Sequence, residues 1–560
     1  MMGVATERTG GELLVDALRV HGVDTAYCVP GESYLAVLDA LHDARDAIRL
    51  IVCRHENGAA NMAEAYGKLT GRPGICFVTR GPGACNASIG VHTAFQDSTP
   101  MILFIGQVGG DFVEREAFQE VDFRRMFGQM AKWVAQVDRP ERIPELVSHA
   151  FHTAVSGRPG PVVLALPEDM LTQQAAVADT KPYRRVAASP AAADMARLRD
   201  RLSRAERPLL LLGGGDWNRT ACDDIRAFAE RNGLPAAVSF RCQDLIDNRD
   251  PHYVGHVGIG INPALAKRVR ETDLLIAVGP RLGEMTTSGY TLIEPPMPKQ
   301  PLVHVHPGAD ELGRVYQAEL LIVSGMPEFA AAAAALEPVD GPRWRPWLQG
   351  ARAEYEAELK PAPMPGDLDL GRVVRELNVK LAPDTIVANG AGNYSGWVHR
   401  YWQYGPFRSQ LGPTSGAMGY GVPAAIAAKL RHPERSVVCF AGDGCFLMTG
   451  QELATAVQYG ANVLFLVVNN SMYGTIRMHQ ERDYPERIHG TGLDNPDFAA
   501  LARSYGAHGE TVHATAEFGP ALERSLASGK PALIELVIDP DAITTRTTLS
   551  AIRKAALAKR

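Results

Sequence analysis

Residues 442–470 read GDGCFLMTGQELATAVQYGANVLFLVVNN. An apolar run over 436–441, SVVCFA, ends at Gly442-Asp443-Gly444. A helix-like stretch then leads to a second apolar run over 463–468, VLFLVV, which ends at Asn469-Asn470. Strand, turn, helix and strand in this order form a right-handed crossover, so the two strands are parallel. Their C-terminal ends share one sheet edge, where open α/β sheets bind ligands. Asp443 brings a carboxylate to that edge and Asn470 an amide oxygen. Both are hard donors suited to Mg²⁺, which takes one or two carboxylates together with phosphate oxygens. Gly442 and Gly444 allow the backbone to come close to a diphosphate. An ordinary βαβ unit would explain the glycine turn alone; the paired asparagines at the next strand end point to a ligand.

The rest of the chain repeats this architecture. Two stretches read as linkers, AASPAAA at 187–193 and KPAPMPG at 360–366, the second rich in residues that keep a chain extended. They divide the 560 residues into blocks 1–187, 188–360 and 361–560. Each block alternates short apolar runs with longer amphipathic stretches, the pattern of a parallel sheet covered by helices. Strands are expected at 74–79, 101–106 and 162–167, and in the second block at 208–212 and 274–278. The fold class is therefore α/β, with three doubly wound parallel-sheet domains.

Composition narrows the function. With 57 basic and 63 acidic residues the formal charge is −6 and no basic block appears, which argues against a nucleic-acid partner. No run reaches the ~18 apolar residues of a membrane span. The N-terminal MMGVATERTGGELLVDAL lacks the apolar core of a signal peptide. Eight cysteines without CxxC spacing fit reduced thiols in a cytoplasm. Arg553-Lys554 and Lys559-Arg560 are expected to form a solvated helix end.

Further motifs lie at strand ends. RHENGAANMA at 54–63 sets Glu56 at a helix start, where the dipole favours negative charge; a helix-capping acid is the alternative. TRGPGACN at 79–86 follows a strand and opens a helix, as an anion- or cofactor-facing turn does, though structural glycines explain it equally. PGE at 30–32, AFQEVD at 117–122, NGAGN at 389–393 and TSGAMGYGVPAA at 414–425 complete the set.

Together with GDG…NN, these segments resemble the thiamine-diphosphate-dependent enzymes, and among them the large (catalytic) subunits of acetolactate synthases. The resemblance implies a pyrimidine-binding domain, a central domain and a diphosphate-binding domain. It implies that Asp443, Asn470 and the carbonyl of Met472 hold Mg²⁺, with Gly442, Gly444, Tyr473 and Gly474 beside the cofactor. Glu56 would bond to the pyrimidine ring as the catalytic acid, next to Gly31, Gly81, Pro82 and Asn86. Asn389 and Gly390 would contact the diphosphate, the Gly416 carbonyl would accept from the pyrimidine amino group, and Met418 would bend the cofactor, although a core Met is the alternative. Gln119 would hydrogen-bond the substrate carbonyl or carboxylate, with Phe118, Lys132 and His479 lining the substrate site; Lys132 reads equally as a surface charge.

Two places depart from the family pattern. His479 stands where these synthases carry a pocket-shaping Trp, which puts a 2-oxobutyrate preference in doubt and raises an anionic substrate group that Arg477 or His479 could meet. In the central block, Gly213-Gly214-Gly215 and GPRLGE at 279–284 keep only part of the pattern of FAD-binding relatives, so FAD is possible but not favoured. The expected activity is decarboxylation of a 2-oxo acid with carboligation to a second carbonyl compound. The alternatives are a non-ligating decarboxylase or lyase, a flavin-dependent oxidase, and a non-catalytic nucleotide-binding protein. A small-molecule substrate and a homodimer or homotetramer are implied; a regulatory subunit stays open.

Overall fold

The computed structural model describes residues 6–559. Residues 1–5 and Arg560, on which parts of the terminal readings rest, lie outside the described residues. Residues up to Val186 with Ile426–Arg431 make one compact unit, and Ala187–Ala425 with His432–Arg560 the other.

Three six-stranded sheets organise the chain, each wholly parallel. In the first unit the strand order is Arg49–Val52, Thr25–Cys28, Gly74–Val78, Met101–Gln107, Pro161–Pro167 and Trp133–Gln136. A small antiparallel pair, Glu7–Thr9 with Gln174–Ala176, ties the two ends of this unit together. In the second unit one sheet runs Tyr253–Val257, Ala236–Ser239, Pro208–Leu212, Leu274–Val278, Leu302–His306 and Leu320–Val323. The other runs Gln410–Leu411, Ile386–Asn389, Val437–Gly442, Leu464–Asn469, Ala532–Val537 and His508–Val512. Helices cover both faces, so the inner strands are largely apolar instead of alternating. Met101–Gln107, Pro208–Leu212 and Val437–Gly442 are buried at every residue.

The opening crossover is present, with both strands one residue later than the apolar runs suggested and Gly442 in register with Val468. The first expected linker is packed: the carbonyl of Ala188 accepts from Gly325 N at 3.0 Å, and a helix begins at Ala192. Among the described residues no helix is long and apolar enough to cross a membrane.

Candidate active site

In the first unit the parallel strands bring four motifs to one edge. Gly31 follows Thr25–Cys28, Glu56 follows Arg49–Val52, the turn at 80–83 follows Gly74–Val78, and the loop over 110–122 follows Met101–Gln107. Glu56 is the first residue of helix Glu56–Thr70 and is only 9 % exposed. His55 caps that helix, accepting from Asn57 N at 3.1 Å through Nδ1. Asn86, on helix Gly81–Asp97, donates from Nδ2 to Glu56 Oε2 at 2.9 Å. The other carboxylate oxygen faces Gly83, where a Cβ would stand 3.5 Å from Oε1. Gly81 N donates to Gln119 O at 3.0 Å, and Arg80, 7 % exposed, donates to the Phe118 carbonyl and pairs with Glu168. These bonds pin a loop in which Glu114, Glu116 and Gln119 all have positive φ, backbone strain of the kind that persists where surrounding contacts over-determine it. The loop presents Phe118 with 72 % of its surface exposed, next in sequence to Gln119.

Lys132 does not join this edge. Its backbone N donates to Pro161 O at 2.8 Å, at the N-terminal end of two parallel strands, the sheet edge opposite the one that carries the other motifs. Its ammonium donates to the carbonyls of Thr153 and Ser156, capping helix Ile143–Val155. A cation at a helix C-terminus is favourable, and the structure uses the Lys132 ammonium there.

In the second unit Asp443 begins a short helix at the tip of Val437–Gly442 and is 3 % exposed. Gly444 N donates to Asp443 Oδ1 at 2.9 Å and Asn495 Nδ2 to Oδ2 at 2.8 Å. Burial pushes the carboxyl above its ordinary pKa, against these donors and the backbone amides of Ser471 and Met472. Asn470 follows strand Leu464–Asn469, and Ser471 has a positive φ of 55° that turns the chain toward Met472. Asn469 Oδ1 accepts from Ser471 N at 3.0 Å and holds that turn. The Met472 carbonyl accepts from Gly474 N at 2.8 Å, which leaves its second lone pair available. Tyr473 N donates to Thr491 O and Leu493 N to Ser471 O, both at 2.9 Å, so the segment after the turn lies along it and delivers Asn495. Asp443, the Asn470 amide and the Met472 carbonyl would offer oxygen donors, the type that Mg²⁺ selects. Among the described residues no three or more His, Cys, Asp and Glu side chains group so as to hold a metal ion.

Around this tip, Gly416 has φ 69° and open space beside it, and its N donates to Pro413 O at 3.0 Å. Met418 is half-buried against the core of its sheet. Gly419 N donates to Cys445 Sγ at 3.2 Å and Thr449 Oγ1 to Gly419 O at 2.6 Å, joining this turn to the GDG helix. Asn389 is buried and donates to Gly390 O at 2.8 Å. Arg241, 4 % exposed and with φ 60°, reaches over from the neighbouring sheet. Its Nη2 donates to Gly390 O at 2.8 Å, its Nη1 to Pro413 O, and its guanidinium lies 4.9 Å from the Phe240 ring. Sequence motifs flagged neither Arg241 nor Asn495.

Helix Gly474–Asp483 carries His479, whose Nδ1 is shielded from solvent without a hydrogen-bond partner among the described residues. Arg477 is paired, its Nε and Nη2 donating to Glu481 Oε1 at 3.1 and 2.9 Å. Arg553 donates to the same buried carboxylate, 2.8 Å from Oε2. That pairing corrects the expected solvated end of the chain: helix Leu549–Leu557 is anchored through Arg553. In the central sheet the glycine turns meet backbone to backbone, since a Cβ on Gly214 would stand 2.0 Å from Gly279 O. Trp217 Nε1 donates to Gly213 O at 2.8 Å and fills the space beside them. Packing alone requires glycine at this turn.

Sheet order, strand-end motifs and donor set agree with one class of protein, and comparison identifies it. Three segments match the domains of the thiamine pyrophosphate enzymes: residues 8–126 the N-terminal TPP binding domain, 195–333 the central domain and 390–536 the C-terminal TPP binding domain. The chain is 34 % identical over 546 residues to the acetolactate synthase large subunit of Parasynechococcus marenigrum, covering 94 % of this chain and 87 % of that one. It is 31 % identical over 536 residues to the acetolactate synthase isozyme 2 large subunit of Escherichia coli K12, covering 95 % of each. It is also 31 % identical over 556 residues to a probable acetolactate synthase large subunit of Methanocaldococcus jannaschii, covering 95 % and 92 %. The chain belongs to the thiamine pyrophosphate enzyme family.

Proposed function

We propose that this chain is an acetolactate synthase-like enzyme, which decarboxylates a 2-oxo acid and joins the retained carbon unit to a second carbonyl compound. The observation that carries the reading is the buried Asp443 carboxylate at a parallel strand tip, with Asn470 and Met472 following the neighbouring strand. Asp443, the Asn470 amide oxygen and the Met472 carbonyl would hold Mg²⁺, and Asn389, Gly390, Gly416, Met418, Gly442, Gly444, Tyr473 and Gly474 would cradle the cofactor. When bound, thiamine diphosphate supplies a nucleophilic carbon and an electron sink for loss of CO₂.

Glu56 holds and returns a proton at Oε1, because Oε2 is committed as acceptor to Asn86. Gly31, Gly81 and Pro82 shape the same edge. Gln119 orients a substrate carbonyl through its amide, and Phe118 covers the apolar part of the substrate and excludes water. His479 offers its unpartnered ring nitrogen to the acceptor side. No step is assigned to a flavin. The active form is inferred to be a homodimer or homotetramer in which Glu56 serves a neighbouring copy; the exposed Pro82, Cys85 and Ile89 along one face of helix Gly81–Asp97 support this. Domain limits at 187/188 and 360/361 and a cytoplasmic location are part of the same proposal, the latter supported by eight free thiols.

The test supplies the purified chain with thiamine diphosphate and Mg²⁺, and offers 2-oxo acids singly and in donor–acceptor pairs. CO₂ release with a carbon–carbon-bonded product is expected. CO₂ with only free aldehyde would make it a non-ligating decarboxylase, and no CO₂ from any 2-oxo acid would refute the reading.

A further inference from the structure

Asp443 is the end of a hydrogen-bonded chain that starts on another strand. Glu535, 6 % exposed on Ala532–Val537, accepts from Thr511 Oγ1 at 3.1 Å and from Asn469 Nδ2 at 2.7 Å. A carboxylate that accepts both bonds fixes the Asn469 amide, with its nitrogen toward Glu535 and its oxygen toward the sheet edge. Asn469 Oδ1 then accepts from Ser471 N and from Asn495 Nδ2, each at 3.0 Å. The second hydrogen of Asn495 Nδ2 goes to Asp443 Oδ2 at 2.8 Å. Flipping Asn495 would set its oxygen against two acceptors, so the network itself determines the orientation. One atom is left over. Asn495 Oδ1 is shielded from solvent and has no hydrogen-bond partner among the described residues, and buried acceptors in native proteins are paired, with protein or with water.

We propose that Asn495 is a positioning residue of the metal centre. Through Nδ2 it orients Asp443 toward the cation, and through Oδ1 it accepts a hydrogen bond from a water that the cation carries. Mg²⁺ dehydrates reluctantly and keeps waters in protein sites, so such a donor accompanies it. The same Asn469 oxygen that orients Asn495 also holds the Ser471 turn between Asn470 and Met472. One asparagine thus sets the carboxylate and the other two donors together. This inference rests on the reading of Asp443 as a Mg²⁺ ligand.

The experiment titrates Mg²⁺ into the apo-protein at fixed thiamine diphosphate, following cofactor binding by calorimetry, with melting of each apo-protein measured alongside. Mg²⁺-dependent binding by the wild type tests the underlying reading, and its absence refutes that reading by itself. In Asn495→Ala the half-saturating Mg²⁺ should rise roughly 10- to 100-fold, the usual loss when an outer partner of a metal ligand is removed. Asn495→Leu has a similar size but neither donor nor acceptor, so it should bind at least as weakly as Asn495→Ala. Unchanged Mg²⁺ affinity in Asn495→Ala, or wild-type affinity in Asn495→Leu, overturns the proposal. Should Asn495→Ala fail to fold, Glu535→Leu takes its place by removing the acceptor that fixes the Asn469 amide: weakened Mg²⁺ supports the network and unchanged affinity overturns it.

Discussion

Asn86 Nδ2 donates to Glu56 Oε2 across 2.9 Å, from one helix to the first residue of another. The bond commits one carboxylate oxygen and aims the other past Gly83. Asn86→Ala should leave cofactor affinity nearly unchanged while kcat falls about 10- to 100-fold, the scale of a small misplacement of a reacting group. Steady-state kinetics at saturating cofactor check this, and an unchanged kcat would show that Glu56 needs no steering.

Removing a donor oxygen should act on binding before it acts on chemistry. Asp443→Ala and Asn470→Ala are expected to abolish Mg²⁺-dependent uptake of thiamine diphosphate in calorimetry. Both residues sit at strand ends, so the far-ultraviolet circular dichroism should stay as in the wild type. Full cofactor affinity in both variants would contradict the donor set.

Arg241 holds the Gly390 and Pro413 carbonyls from the central sheet. Hydrogen bonds to charged groups contribute ~1.5–3 kcal/mol each. Arg241→Ala should therefore lower the melting temperature and weaken cofactor binding as well, because both turns of the cradle lose a clamp. A variant that melts earlier but binds thiamine diphosphate as tightly would make Arg241 a packing residue only.

Glu481 is fully buried and shared by two arginines. Its hydrogen bonds, that from Arg553 foremost, hold the carboxyl down at about 2. The folded value lies below the unfolded ~4.3, so the unfolded state binds the proton first. The stability this group contributes is present above that value and is lost as the pH falls toward about 2. Melting curves of the wild type should drop more steeply on acidification through this window than those of Glu481→Gln. Parallel profiles would contradict the anchoring role.

The sheet edges were legible because their signals are local. A run such as FLVVNN at 465–470 shows both a buried strand and the polar donors at its end. RHE at 54–56 likewise combines a strand exit with a helix start. Arg241 was not legible, since its partners lie 149 and 172 residues away and are backbone carbonyls without a side-chain signature. Asn495 was hidden for a related reason: only the pairing of Tyr473 and Leu493 with opposite strands of a loop brings it to Asp443. Lys132 and Arg553 show the converse. Each is a plain basic residue in sequence, and each is used by tertiary structure, one as a helix cap and one as an ion-pair anchor.

Glu56 is proposed to act on the cofactor ring before any substrate arrives. The most direct test is hydrogen–deuterium exchange at the thiazolium carbon of bound thiamine diphosphate, without substrate, in the wild type and in Glu56→Gln. The glutamine keeps the size and a hydrogen bond but cannot carry the proton, so exchange should slow by ~10²- to 10⁴-fold with the cofactor still bound. Exchange as fast in Glu56→Gln as in the wild type would contradict the account and leave Glu56 as a helix-capping acid.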